Sequence, residues 1–560
     1  MPPTIGVATF DELNDTGAIY STTSPSSFTA DTLTSNPIRL DSVFGASPAS
    51  LKKSDSIYFS FFYQPQGIGD TVGVSAPEVN DSLVLEFYSP KTMTWNHVWA
   101  DTGSTLQQFH SRYNVWFKQV MIPITDSTDY FHPGFRFRFY NWASLANTIV
   151  ADWPEGNANI WNLDYVYLNK GRTIADTVYS DIAFVNPAPS MLKNYYAMPW
   201  SQYKVDTTAE MKDSLQMTIR NLDNAVINSS YEYTVKETGS AWNTLYNGGN
   251  YNIQPLSIQT YHAHATPPVN FHFPANSNDS AEFKITHAIA ESGDKLRSND
   301  TTIFDQKFYN YYAYDNGVPE AGYLLSSNDP APYAMLAYQF KLNRHDTLRA
   351  IEMFFTQALN PGQQFFDLTV WNDASGYPGD TLFTMQNLEP IFGNSINEYR
   401  RFLVNRIVPI SGTIYVGWKQ PNEENITVGF DLTNNEDSRI FYNVGSGWSN
   451  SMYPGALMIR PVVGRDLPSG INEIPQSKNE IKVFPNPSSG DNISIDIPAL
   501  NGQDVSKFSI HLYDMLGNEV YSSRFTNKIN VSGLQNGMYL LNISSNDNIS
   551  RYITKLTIIK

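Results

Sequence analysis

The sequence contains no cysteine. That absence excludes disulfides, thiolate nucleophiles and any Cys-ligated zinc or iron–sulfur centre. Basic residues are few: 37 Lys and Arg stand against 54 Asp and Glu, a net charge of −17. An acidic surface repels phosphate backbones, and no basic cluster interrupts it, so the composition argues against nucleic acid as a partner. No run of about eighteen apolar residues occurs, so no transmembrane segment is expected. Catalytic signatures are missing too. There is no Gly-x-Ser-x-Gly elbow, no His-Glu-x-x-His helix, no P-loop and no dinucleotide fingerprint. Glycoside hydrolysis needs two carboxylates about 5 to 10 Å apart. No strand carries them in alternation, as in jelly-roll glucanases, which leaves open only a pair drawn from separate strands.

What the chain has in quantity is aromatic: 34 Tyr, 32 Phe and 11 Trp, with abundant Asn, Ser and Thr. That mixture favours strands and polar loops over helices, and 560 residues leave room for about three to five domains. In residues 1–189, strands are expected at Asp55–Tyr63, Ser82–Tyr88, Trp95–Trp99, Phe135–Phe139 (arginines outward) and Asn159–Leu168. The last, of the form Trp-x-x-Asp-x-Val, resembles the closing strand of MAM-like and concanavalin-like jelly rolls, which are surface adhesion or glycan-contact modules. Residues 190–305 carry shorter strands, at Ser214–Ile219, Tyr231–Val235 and Ala281–Thr286, and read as an Ig-like spacer. Residues 306–465 have the size of a second jelly roll, and 466–479 read as a protease-exposed linker.

Three sets of residues are candidates for chemistry. His262 and His264 share a face of an extended stretch, with His272 on the next, an arrangement open to a transition metal or to a plain polar surface. Asp11, Glu12, Asp15, Asp152, Glu155, Asn157, Asn159 and Asp164 place hard oxygens around the first domain. Of these, Asp152 and Asp164 are the expected ligands of calcium, which takes about six to eight oxygens; the alternative is solvated loop carboxylates. Tryptophans 95, 99, 116, 142, 153 and 161 offer either a sugar-stacking platform or core. Trp161 runs in phase with Leu163 and Tyr165, whereas Trp153, beside Pro154, is the expected exposed ligand contact.

Residues 480–560 alternate at Ile493/Ile495/Ile497, Phe508/Ile510/Leu512, Tyr539/Leu541/Ile543 and Tyr552/Thr554/Leu556/Ile558. This period of two predicts about seven short strands of an Ig-like sandwich. Gly517 and Gly537 are available for positive-φ turns, and Pro485 and Pro487 interrupt pairing. Four motifs then stand in order: Val483-Phe484-Pro485-Asn486-Pro487, Leu512-Tyr513-Asp514-Met515-Leu516-Gly517, Gly533-Leu534-Gln535-Asn536-Gly537-Met538-Tyr539, and Lys555-Leu556-Thr557-Ile558-Ile559-Lys560. Together they resemble the type A C-terminal sorting domain of bacterial type 9 secretion substrates. The resemblance implies Pro485, Asn486, Pro487, Gly517, Gly537, Tyr539, Lys555 and Lys560 as signal residues. It also implies passage through an outer-membrane translocon with a shuttle barrel, and cleavage by a sortase-like protease. Met1–Gly6 lack the basic and apolar parts of a signal peptide, so the same resemblance implies a mature or trimmed form.

The expectation is therefore an all-β, multidomain chain of jelly-roll and Ig-like sandwiches, exported to the cell surface or medium, non-enzymatic and adhesive. The alternatives are a carbohydrate-binding accessory protein, or a polysaccharide hydrolase with a carboxylate pair drawn from separate strands.

Overall fold

The computed structural model describes residues 1–18, 20, 27–44, 48–67, 70, 75–144, 159–263, 272–325, 334–356, 364–393, 395–420, 426–464, 481–497, 505–514, 519–545 and 551–559. Among them the chain is almost entirely antiparallel β-structure, in two compact units, 1–465 and 466–560.

The larger unit opens with two sheets facing one aromatic core. The first runs in the order Ala8–Phe10, Trp161–Asn169, Tyr58–Pro65, Lys118–Pro123. The second runs Phe28–Thr34, Pro133–Ala143, Ser82–Ser89, Thr94–Thr102, with Ile38–Arg39 also bonded to the long strand Pro133–Ala143. Alternation along each strand sends Phe59, Phe61 and Tyr63 from one side, and Leu83, Leu85, Phe87, Phe135 and Phe139 from the other, into that core. A register shift between Asp164 and Tyr167 marks a bulge in the strand Trp161–Asn169, with Tyr165 at φ +51. The bulge breaks the expected phase. Trp161 and Leu163 enter the core, but Tyr165 packs instead against Tyr179, 4.8 Å away. The longer of two α-helices among the described residues, Leu106–Tyr113, interrupts the β pattern; its first turn is closed by a reciprocal pair of bonds between Thr105 and Gln108.

Next come a three-stranded sheet (Ile182–Phe184, Leu215–Asn221, Ile258–Ala263) and a four-stranded one (Asn243–Ile253, Ile227–Glu237, Ala281–Ala290, Thr301–Phe308). Beyond these a six-stranded sheet is built in the order Tyr377–Leu388, Phe366–Ala374, Thr413–Gln420, Ala334–Lys341, Ile440–Asn443, Ser449–Asn450. Two three-stranded sheets accompany it, centred on Asp346–Met353 and Val428–Asp431. Buried residues from Ile182 to Val463 form one continuous hydrophobic cluster, so these sheets share an interior.

Among the described residues the smaller unit holds seven strands. Lys482–Phe484, Asn492–Asp496 and Lys528–Asn530 form one sheet, and Glu519–Arg524, Phe508–Tyr513, Gly537–Ser545 and Arg551–Ile558 the other. Ile493, Ile495, Ile510, Leu512, Leu541, Ile543, Leu556 and Ile558 fill the space between.

Candidate functional site

Alternation that buries Phe135 and Phe139 and turns Phe137 inward against the core sends Arg136, Arg138, Tyr140 and Trp142 to the outer face of the same sheet. There they stand beside Tyr88, Glu86, Val84 and Ser82 of the next strand, and Tyr88 is paired in turn with Trp95. From Arg136 to Trp142 this face extends about 20 Å. The Arg138 side chain reaches Glu86 Oε2 through Nε at 2.7 Å and Nη2 at 2.6 Å, and its guanidinium lies 4.3 Å over the Trp95 ring. The Tyr140 hydroxyl donates to Glu86 Oε1 at 3.3 Å. Trp142 is 38% exposed. The result is an open aromatic surface whose central charged pair is held rigid by its own hydrogen bonds.

A second aromatic patch lies on the outer face of the six-stranded sheet. Trp371, Tyr415 and Phe441 are buried there under the half-buried Trp448, whose ring centre is 5.8 Å from that of Trp371. Tyr415 donates to Asp373 Oδ1 at 2.8 Å and accepts from Gln339 Nε2 at 2.9 Å. This patch is closed by its own chain.

Two places concentrate carboxyl groups. Asp181, Asp294 and Asp300 are all buried, with an oxygen of each within 4.8 Å of the others. Burial, then the neighbouring acids, pushes Asp300 up to about 7. Burial likewise pushes Asp181 up to about 7, although hydrogen bonds from Tyr165 and Asn299 work the other way. Beside the three-stranded sheet centred on Val428–Asp431, burial and then the charge of Asp431 raise Glu320 to about 8. Asp431 itself accepts from Asn316 N, Thr433 N, Thr433 Oγ1 and Asn434 Nδ2 at 2.6 to 2.8 Å. These findings correct the expectation of a chain without enzymatic groups. Buried carboxyls that hold a proton near neutral pH are what acid–base chemistry uses, and here loops far apart in the sequence bring them together.

The residues singled out in the sequence are placed as follows. Asp152 and Trp153 lie outside the described residues, as do Glu155, Asn157 and His264. Asn159 Nδ2 donates to Glu12 Oε2 at 3.0 Å. The register Ala8↔Leu163 and Phe10↔Trp161 puts that contact at one end of the strand pair and Asp164 toward the other. Asp164 accepts from Thr4 N, Thr4 Oγ1 and Tyr165 N at 2.7 to 2.9 Å. His272 is exposed. Trp161 is core, Trp99 packs edge-on against Phe61 and Tyr63, and Trp116 stacks on His110 at 4.0 Å.

In the smaller unit, Asn486 donates through Nδ2 to the carbonyl of Lys555 at 2.7 Å and accepts at Oδ1 from Thr557 N at 2.9 Å. Pro485 and Pro487 flank it, each after a cis bond. Tyr539 is buried, its hydroxyl donating to the Gln535 carbonyl at 2.8 Å. Gly537 is not a positive-φ turn residue; it begins a strand, opposite Ile558. Pairing with the terminal strand, not a turn, fixes its backbone. Gly517 and Lys560 lie outside the described residues.

Residues 482–560 match the family described as the secretion system C-terminal sorting domain. That domain is present here, and it makes this an exported protein of the cell surface or surroundings, with no helix among the described residues long and apolar enough to cross a membrane. No curated protein matches the whole sequence significantly. Among solved structures, the chain is similar to a putative β-galactosidase from Bacteroides fragilis, at 10% identity and TM-score 0.19, over 45% of this chain and 30% of that one. A β-glucuronidase 2 from Bacteroides uniformis matches at 8% identity and TM-score 0.19, over 53% of this chain and 34% of that one. PorZ, a surface component of the type 9 secretion system of Porphyromonas gingivalis, matches at 9% identity and TM-score 0.12, over 72% and 63%. Scores this low carry no argument about activity, and the chain spans about a third of the length of the two enzymes.

Proposed function

We propose that this protein is a type 9 secretion cargo that binds polysaccharide at the cell surface through its N-terminal sandwich. The observation that supports it is the open outer face carrying Tyr88, Trp95, Tyr140 and Trp142 around the Arg138–Glu86 pair. Aromatic faces cover the apolar side of a pyranose ring, while a fixed charged pair supplies donors and acceptors for its hydroxyls. An extent of about 20 Å suits a chain of sugars better than a single ring. On this reading residues 1–189 and 306–465 are jelly-roll-like modules and 190–305 an Ig-like segment between them. The Ig-like sorting domain, 480–560, engages the translocon and its shuttle barrel, and a sortase-like protease cuts within 466–479.

A glycan array probed with the full chain tests the binding reading. Selective retention of one class of polysaccharide, lost in the Trp95→Ala/Trp142→Ala variant, supports it; identical binding by that variant removes it.

Glu320 favours a second reading, hydrolysis of the bound polysaccharide. It is half-buried and stays protonated near neutral pH beside the hydrogen-bonded Asp431, which is the condition a general acid needs. Release of reducing ends that stops in Glu320→Gln supports turnover, and its persistence in that variant excludes Glu320 as the acid.

A further inference from the structure

We propose that Asp181, Asp294, Asp300 and Asn299 form a calcium site at the seam between the N-terminal sandwich and the sheets that follow it. The four residues come from three short segments. Asp181 immediately precedes the strand Ile182–Phe184, Asp294 lies in the loop after Ala281–Ala290, and Asn299 and Asp300 close the turn before Thr301–Phe308. Backbone bonds lock the segments together: Ile182 N donates to Asp294 Oδ2 at 3.0 Å, Lys295 N to the Ser180 carbonyl at 3.2 Å, and Ile289 N to the Asp300 carbonyl at 2.9 Å. The carboxylates therefore cannot swing apart to relieve their repulsion.

The hydrogen-bond inventory points to a cation. Asp181 Oδ1, Asp300 Oδ1 and Asn299 Oδ1 are buried and without a hydrogen-bond partner. Asn299 is 5% exposed, and its amide already touches the cluster, Nδ2 donating to Asp181 Oδ2 at 3.1 Å. A half-turn of that amide presents its oxygen to the carboxylates instead. No Lys or Arg ion-pairs with any of the three acids among the described residues. A proton shared between two of the carboxyls gives a donor to those two alone and leaves the Asn299 oxygen without one, and buried polar atoms are rarely left so. One hard divalent cation meets both needs. Three carboxylates and an amide oxygen, with waters, match the all-oxygen set of about six to eight ligands that calcium takes; magnesium prefers a tight octahedron rich in water.

The site also reaches the N-terminal sandwich. The bulge packs the Tyr165 ring against Tyr179, 4.8 Å between centres, and Asp181 N donates to the Tyr179 carbonyl at 2.9 Å, so a cation bound at Asp181 stiffens the junction as well as the loop. Tyr165 further supplies a readout, because a tyrosine next to a bound terbium ion sensitises its emission.

The test uses the full chain stripped with chelator. Terbium emission excited through tyrosine is expected to appear, to be displaced by calcium, and to be lost in Asp181→Asn/Asp300→Asn, whose calcium affinity falls by at least about tenfold. Calcium is also expected to raise the melting temperature of the wild type and of Asp164→Asn equally. The inference is overturned if the wild type shows neither calcium heat in titration calorimetry nor sensitised emission. It is equally overturned if the double variant keeps both. Should that variant not fold, the wild-type calorimetry and emission decide alone.

Discussion

Two sheets in this molecule carry aromatic side chains on the face turned from the core, and they have opposite fates. On the N-terminal sandwich, Trp142 is 38% exposed and Arg138 lies flat over Trp95, leaving the row open. On the six-stranded sheet, Trp371 is 3% exposed, because Trp448 folds back across it and it clusters with Ala337, Tyr415 and Phe441. Similar residue types at similar positions thus give a surface in one place and a small second core in the other. Among the described residues, the connection Asn443–Ser449 carries a tryptophan back over the six-stranded sheet, while the outer face of Pro133–Ala143 meets Trp95 and Tyr88 from its own sheet. Aromatic abundance is a poor guide to a binding site until the cover is known.

The contrast can be broken by experiment. Trp371→Ala should cost about 3 kcal/mol in denaturant unfolding and leave glycan binding unchanged, since it empties a closed site. Trp95→Ala/Trp142→Ala should do the reverse, weakening polysaccharide binding about tenfold with little change in stability. If both variants only lose stability, the two faces are alike and the N-terminal row is not a site. Trp448→Ala removes a lid and leaves a floor, so a loss of about 1 kcal/mol is expected, and an exposed Trp371 should show as red-shifted fluorescence.

The smallest effect concerns the buried acids, where cover acts on charge. Asp181 and Asp300 are raised to about 7, above the ordinary carboxylate value. The folded state therefore binds more protons than the unfolded one between about pH 4 and 7, so stability is highest below that window and falls as pH rises through it. Without calcium the melting temperature should drop a few degrees from pH 5 to pH 8; with calcium the drop should shrink or reverse. A profile that is flat without calcium would show the cluster to be open to water.

Strand content was the most legible property. Phe135–Phe139 alternates strictly and folds accordingly, with Arg136 and Arg138 outward, because one face of its sheet is core. Strands at the other extreme were hidden. Arg400–Ile410 places Leu403 and Ile407 in solvent at 63% and 77% exposure, which blurs its period of two. Ser375-Gly376, with φ of +57 and +89, joins Phe366–Ala374 to Tyr377–Leu388 and is a hairpin signal of the usual kind that could have been read. So could Thr105-x-x-Gln108, which opens the helix. The acidic cluster could not. Asp294 bonds a backbone amide 112 positions away, and no local pattern records a meeting of that range. Asp164, the calcium ligand expected from the sequence, accepts from Thr4 N, Thr4 Oγ1 and Tyr165 N.

The amide of Asn486 does for the last strand what a peptide group of a neighbouring strand would do, giving one donor and one acceptor to Lys555 and Thr557. That side chain, with the Ser488 main chain, which bonds the Thr557 carbonyl and Ile559 N at 2.8 Å, acts as a bolt across one rim of the sorting domain. Any carrier that adds its own strand at that rim must first draw the bolt, so replacing Asn486 by Ala would loosen the latch at Lys555 and leave only the Ser488 main chain to be displaced.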